Sequence, residues 1–178
     1  LGLPQGTFKV VRNGFDFTGL EPDEKKEDAK KFRSRLGIPP DISLVGSVLS
    51  FSEEKCPLPW VDVAACISER RRDVRFVMIG DGPLREAARQ RAAACGLGDR
   101  IVMPGNEKDT AAAIAAMDVF LLTSRLEGFP NVLVEAQALG VPVVTTDGGG
   151  AAETLIQGRT GYAVSPHSPD LLAAAILR

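Results

Sequence analysis

The chain has 178 residues, 44% of them hydrophobic and 25% charged, enough to bury a full core as one domain without staples. Its 21 basic and 23 acidic residues leave a formal charge of -2, which argues against a nucleic-acid surface or a strongly basic membrane-binding face on the whole chain. No apolar run approaches the roughly 20 residues of a membrane span, so no insertion into a bilayer is expected of this chain. Cys56, Cys66 and Cys95 show no C-x-x-C spacing, and an odd count without a signal-peptide pattern gives the expectation of reduced thiols and the cytoplasm.

In chain order, residues 8–11 read as a short strand and Asn13-Gly14 as a turn. Residues 23–36 are charge-rich, with Glu21/Lys25 and Glu27/Lys31 at i,i+4 and a narrow stripe of Ala29, Phe32 and Leu36, which predicts a solvated surface helix. Gly37 and Pro39-Pro40 stop it. A buried strand is predicted over 42–49, then a polar loop ending at Lys55, then a helix carrying Trp60, Val63, Ala64 and Ile67. Residues 74–79 form the next strand and run into Gly80-Asp81-Gly82-Pro83, with Pro83 opening a helix that Gly96 closes. That turn lacks both G-x-G-x-x-G and the P-loop lysine pattern, so its glycines are read as letting backbone approach a ligand or a neighbouring loop, with Asp81 as a helix cap. A short strand over 100–103 ends at Pro104-Gly105, and an Ala-rich helix is predicted over 109–117.

The most informative stretch is Ser124-Arg125-Leu126-Glu127-Gly128-Phe129-Pro130-Asn131-Val132-Leu133-Val134-Glu135. The strand signal Val119-Phe120-Leu121-Leu122 feeds it, and apolar residues then recur at mainly helical spacing, so it reads as strand, tight loop and helix start. Pro130 suits the first turn, and the free amides of Asn131 and Val132 then sit at a positively polarised helix end, an anion site. Glu127 and Glu135 are placed to accept hydroxyl hydrogen bonds on either side of an anion held there. Beyond it come a strand at 141–144, a flexible loop at 145–150, a short helix with Glu153, a strand at 161–164 and a final helix at 171–178. Glu153 either reaches a ligand or neighbouring loop, or favours its helix start. His167, the single histidine, has no partner cluster and reads as a loop residue rather than a metal ligand or base. Strand and helix signals alternate throughout, which predicts an α/β fold with a mainly parallel sheet covered on both faces.

The E-x7-E spacing, the run EGFPNVLVEAQALGVPVVTT and the later GG-x-x-E from Gly149 to Glu153 resemble the donor-binding half of retaining glycosyltransferases of the GT-B fold, of the large family 4 type (glycosyl transferases group 1). Arg12-Asn13-Gly14-Phe15-Asp16, Val45-Gly46-Ser47, Ser52-Glu53-Glu54-Lys55 and Val77-Met78-Ile79-Gly80-Asp81-Gly82-Pro83-Leu84 extend the likeness to nearly the whole chain. Any one of these short motifs is weak; the ordered set is specific. The resemblance implies a Rossmann-like three-layer α/β/α sandwich, one half of such an enzyme. Residues 1–178 are then a single nucleotide-sugar-binding domain, a fragment whose partner is an N-terminal acceptor-binding domain of the same parent chain.

It also implies roles. Lys55 and Glu127 are the candidate catalytic residues, with Lys55 offsetting charge on the leaving diphosphate and Glu127 holding sugar hydroxyls. Gly46, Gly128, Phe129, Asn131, Val132, Glu135 and Met103 are the candidate donor-binding residues, with Glu135 on the ribose and backbone near Met103 against the base. The implied donor is a nucleotide-diphosphate sugar, UDP-sugar first, with no cofactor and no metal; Asp16, Asp81 and Asp147 form no D-x-D. The implied setting is bacterial cell-surface polysaccharide synthesis, with a membrane-associated parent enzyme allowed. One departure stands out. The family usually supplies an arginine shortly after the strand glycine, and here Ser47 and Ser50 occupy that region, so Lys55 works nearly alone, Arg12 or Arg125 substitutes, or the site is impaired. Rival readings are a non-catalytic nucleotide-binding or regulatory module, a nucleotide-sugar epimerase of the same architecture, and a glycosidase using Glu127 and Glu135 as acid and nucleophile.

Overall fold

The computed structural model describes residues 13–164 and 168–178. The strand expected at 8–11, Arg12 and His167 lie outside them. Six strands, β1 (Ser43–Val48), β2 (Val74–Ile79), β3 (Ile101–Gly105), β4 (Val119–Leu122), β5 (Val143–Thr146) and β6 (Gly161–Val164), form one sheet in the order β3-β2-β1-β4-β5-β6. Every pairing is parallel, with β1 and β2 in unbroken register from Ser43↔Val74 to Val48↔Ile79. A parallel sheet needs cover on both faces, and the alternation of side chains supplies it. Val45, Phe76, Met78 and Leu121 point to one face, against Trp60, Val63, Ala64 and Ile67 of α2 (Pro57–Arg70), Ala88 and Ala92 of α3 (Arg85–Ala94), and Leu172 and Ala173 of α6 (Pro169–Ile176). Leu44, Val77, Ile79, Phe120 and Leu122 point to the other, against Ala29 and Phe32 of α1 (Pro22–Arg35), Ala113 and Ile114 of α4 (Thr110–Ala115), and Leu133 and Ala136 of α5 (Asn131–Ala138). Each fully buried aliphatic or aromatic side chain contributes about 1.5–3 kcal/mol, so the two half-cores dominate the stability of the sandwich.

Strands β2, β4 and β6 have the bounds expected from sequence, and the other elements given bounds shift by one or two residues at either end. β3 continues through Pro104, which an edge strand tolerates because the missing N–H costs no ladder bond. Asn13-Gly14 makes no turn; the turn lies at Thr18-Gly19, closed by Leu20 N–H to Phe17 O at 3.0 Å, with Gly19 at φ +76°. On α1 the expected i,i+4 pairs are replaced by i,i+3 pairs, Lys30–Glu27 at 2.6 Å and Lys31–Asp28 at 2.8 Å. Lys25 instead reaches Asp109 at 3.0 Å, and Asp109 also caps α4 by accepting the Ala112 N–H. Those cap and ion-pair bonds hold the Asp109 carboxyl below its ordinary pKa.

Asp81 does not cap α3. The helix starts at Arg85 after Leu84, while the Asp81 carboxylate accepts the N–H of Gly82 at 2.8 Å and faces Arg85 at 3.6 Å, closing the turn on itself. The adjacent glycines serve a neighbouring loop. A Cβ on Gly80, at φ +129°, would stand 1.9 Å from the Leu49 carbonyl oxygen, and one on Gly82 would stand 2.8 Å from the Phe51 amide. Here the lack of a side chain is what lets the loops after β1 and β2 touch.

Candidate functional site

The strand order reverses direction between β1 and β4, so the loops leaving their carboxyl ends diverge to opposite sides and leave a crevice, the place where open α/β sheets bind ligands. A cleft of about 570 Å³ lies there. One wall is built by Val48 at the end of β1, by Leu49, Ser50 and Lys55 after it and by Gly80, Asp81 and Asn106 after β2 and β3; the other by Glu127, Phe129, Pro130, Asn131 and Val132 after β4.

Pro130 is the N-cap of α5, one position earlier than expected, with its carbonyl accepting the Leu133 N–H at 3.1 Å. The Asn131 and Val132 amides therefore have no partner within the helix, and none among the described residues, at the positive end of the helix dipole. Asn131 also accepts a long hydrogen bond from Asn13 at 3.4 Å, which brings the start of the described chain over this helix end.

Lys55 and Glu127, 72 positions apart in sequence, meet across the cleft: Lys55 Nζ lies 2.5 Å from Glu127 Oε1. The lysine side chain is 30% exposed and the glutamate 11%. Lys55 stands just before α2, whose N-cap, Cys56, has φ 51° and ψ 56°, the one left-handed non-glycine conformation among the described residues. Such a backbone costs about 1–2 kcal/mol and persists where surrounding bonds fix it.

Glu127 is fixed from behind. Its N–H donates to Gly148 O at 3.2 Å, and its carbonyl accepts the Gly150 N–H at 2.8 Å. Cβ atoms on Gly148, Gly149 and Gly150 would stand 2.6 Å from Arg125 O, 2.3 Å from Glu127 O and 1.7 Å from Gly128 O. The run expected to be a flexible loop is thus a backbone clasp, and its three glycines exist for contact with the Glu127 loop rather than for freedom.

Glu135 sits in the second turn of α5, half-buried, with no hydrogen-bond partner among the described residues, and burial pushes its carboxyl above the usual glutamate range. It does not line the cleft wall. Gly128 is exposed with nothing within 4 Å of where a Cβ would stand. Gly46 lies inside β1, where a Cβ would meet Met117 Sδ at 2.5 Å and Val77 at 2.7 Å, so its bareness serves sheet-to-helix packing. Met103 borders a separate hollow of about 350 Å³ between α3 and β3, and its carbonyl accepts a hydrogen bond from Arg85 at 2.8 Å. The structure thus brings Lys55, Glu127, Phe129, Asn131 and Val132 together and leaves Gly46, Met103, Gly128 and Glu135 off the wall.

In place of the expected arginine, Ser47 is fully buried with an unpaired hydroxyl, and Ser50 lines the cleft, its hydroxyl 3.2 Å from that of Ser52. Arg125 is exposed and contributes only a backbone bond, to Glu54 O at 2.9 Å. Lys55 is the one cation among the described wall residues, against the carboxylates Asp81 and Glu127. Asp81 and Ser50 enter the wall from stretches read for other roles, and Asn106 with no motif to mark it; only its position just past adjacent parallel strands could have found Asn106. Among the described residues no helix is long and apolar enough to cross a membrane, and no group of three or more His, Cys, Asp or Glu is placed to hold a metal ion.

A doubly wound parallel sheet with a cation, a carboxylate and an uncapped helix end at its crossover defines a Rossmann-like α/β domain with a cleft suited to an anion. Residues 39–178 match the family described as glycosyl transferases group 1, and the chain belongs to that family. It is 44% identical over 162 residues to the Vi polysaccharide biosynthesis protein VipC/TviE of Salmonella typhi, covering 91% of this chain and 28% of that protein. It is 30% identical over 184 residues to a GDP-mannose-dependent alpha-(1-6)-phosphatidylinositol monomannoside mannosyltransferase of Mycobacterium tuberculosis, covering 97% of this chain and 46% of that one. Among solved structures, Anabaena HepE in complex with UDP and glucose superposes with a TM-score of 0.85 at 29% identity, over 95% of this chain and 46% of HepE. The chain spans less than half the length of each of these three proteins.

Proposed function

We propose that this chain is the donor-binding domain of a retaining glycosyltransferase, binding a nucleotide-diphosphate sugar in the β1/β4 cleft. The observation that carries the reading is the meeting of Lys55, Glu127 and the free Asn131 and Val132 amides on one cleft at the sheet's crossover. The helix end and the ammonium receive the diphosphate, Glu127 receives sugar hydroxyls, and the unpaired Glu135 receives the ribose. Gly128 and Phe129 shape the loop over the sugar, Gly46 sets the sheet beneath it, and backbone near Met103 meets the base.

In the reaction, the bond from the sugar's anomeric carbon to the diphosphate oxygen breaks and the nucleoside diphosphate leaves with the electron pair. The acceptor hydroxyl oxygen bonds the same carbon on the same face, its proton passing to the departing diphosphate oxygen. Lys55 and the α5 amides stabilise the negative charge that grows on the leaving group, which is the part of the chemistry this domain supplies. An N-terminal acceptor domain of the parent chain completes the cleft, a partner suggested by coverage of less than half of each relative. UDP-sugars are the first donors to test, because HepE was solved with UDP and with UDP-glucose, and GDP-mannose the second, because of the mycobacterial relative. The Vi polysaccharide relative supports polysaccharide synthesis as the setting, which this reading assigns to cell-surface polysaccharide made in the cytoplasm.

Calorimetric titration of the folded chain with UDP, GDP and ADP tests the reading. Saturable binding of one nucleotide is expected, weakened about tenfold or more by Lys55→Ala and less by Glu135→Ala. Absence of binding to all three by the folded chain would overturn it. A non-catalytic nucleotide-binding module is the second reading, favoured by Ser47 and Ser50 in place of a cation; it predicts binding without transfer even in the parent chain.

A further inference from the structure

A hydroxyl from outside the Lys55 loop bonds the backbone that carries Lys55. Thr123 follows β4 directly and is buried, at 2% relative exposure. Its hydroxyl donates across the crossover, 3.0 Å from the Cys56 carbonyl oxygen and 3.3 Å from that of Lys55. These two carbonyls flank the left-handed Cys56, whose other bonds are its N–H to Glu53 O at 3.3 Å, its thiol to the Glu53 and Glu54 carbonyl oxygens at 3.2 and 3.7 Å, and its carbonyl to the Trp60 N–H at 3.2 Å where α2 begins. The backbone then runs from Thr123 through Ser124, Arg125 and Leu126 to Glu127, so this hydroxyl, alongside the Arg125 N–H to Glu54 O at 2.9 Å, joins the segment that carries the ammonium to the segment that carries its carboxylate. A left-handed cysteine relaxes readily to negative φ once it is not held, and that rotation would swing the Lys55 backbone away from the cleft.

We propose that Thr123 is a positioning residue for Lys55: its hydroxyl fixes the Lys55–Cys56 backbone and thereby sets the ammonium on Glu127 and over the diphosphate position. Only the ligand-binding part of this statement rests on the donor-site reading; the ion pair itself does not.

The test uses the whole chain with Thr123→Val, which keeps the shape and removes the hydroxyl, and Thr123→Ser, which keeps the hydroxyl. In ligand-free protein the Nζ and Cε resonances of Lys55, assigned with Lys55→Arg, report its pairing with Glu127, and Glu127→Gln supplies the unpaired reference. Thr123→Val is expected to move these resonances most of the way to the reference, and Thr123→Ser to leave them in place. Unmoved Lys55 resonances in Thr123→Val would overturn the proposal. With the nucleoside diphosphate that the unsubstituted chain binds best, Thr123→Val is expected to weaken binding about five- to tenfold, and to have no further effect in a Lys55→Ala background. An equal loss in both backgrounds would make Thr123 a general structural residue and sink the idea. If the unsubstituted chain binds no nucleoside diphosphate, the donor reading fails while the resonances still decide the role of Thr123. Should Thr123→Val not fold, Thr123→Ala carries the same comparison.

Discussion

Glu127 and Glu135 belong to one short stretch, yet the loop that carries the first and the helix that carries the second are held in different ways. The loop is gripped on two sides, by the glycine backbone of residues 148–150 and by Lys55 at 2.5 Å, so the Glu127 charge is compensated by the ammonium. Helix α5 is anchored by Leu133 and Ala136 beneath, while Glu135 is half-buried with no partner among the described residues and its carboxyl is pushed up by burial. The loop side is therefore prebuilt, and the helix side keeps a desolvation cost that hydroxyl donors of a ligand would relieve.

The strongest way to break this contrast is Gly150→Ala. Its Cβ would lie 1.7 Å from the Gly128 carbonyl oxygen, a backbone atom that cannot step aside. A loss of about 3 kcal/mol is expected, a fall of several degrees in melting temperature. Gly128→Ala, with nothing within 4 Å, serves as the control and should leave stability nearly unchanged. Equal melting of the two variants would mean that the clasp does not hold the loop.

Glu127→Gln sharpens the contrast from the other side. Removing the carboxylate frees Lys55, so a nucleoside diphosphate without sugar should bind about fivefold more tightly, while the nucleotide sugar gains less because it loses a charged acceptor for its hydroxyls. Weaker binding of the bare diphosphate would show that the two anions do not compete for the ammonium.

The smallest effect belongs to Glu135→Gln. Burial raises the Glu135 pKa above its ordinary value of 4.5, so the folded state favours the protonated acid. The associated stability is fully present below 4.5 and is lost as pH rises through the higher folded value. Relative to the unsubstituted chain, Glu135→Gln should melt on the order of 1–2 °C higher at neutral pH and lose that advantage on acidification. A gain that is the same at every pH would remove burial as the cause.

Much of the fold was legible because a buried parallel sheet writes itself as short apolar runs between turn signals. The bounds of β2, β4 and β6 were read to the residue. The anion-ready start of α5 was legible for a similar local reason, since Pro130 and the apolar spacing after it fix where free amides begin. What escaped was chemistry that depends on two distant segments meeting. The Lys55–Glu127 pair spans 72 positions, the Thr123 tie 67 to Cys56, and neither leaves a periodic trace. Glycines misled for a related reason. Gly46 and the run at 148–150 were read toward a ligand or a bend, whereas the atoms a Cβ would strike belong to Met117 and Val77 in one case and to the Glu127 loop in the other. Asp81 fits a capping pattern, but its own turn claims the carboxylate first.

Trp60, the only tryptophan of the chain, is fully buried on α2, edge-on to Phe76 and donating its indole N–H to the Leu121 carbonyl at 3.1 Å. That ties the chain's one indole to β4 two residues before Thr123, in the dry interior behind the crossover. Its emission should be blue in the folded chain and shift red as the sheet opens, so the optical signal of unfolding comes from the scaffold beneath the cleft, without any label.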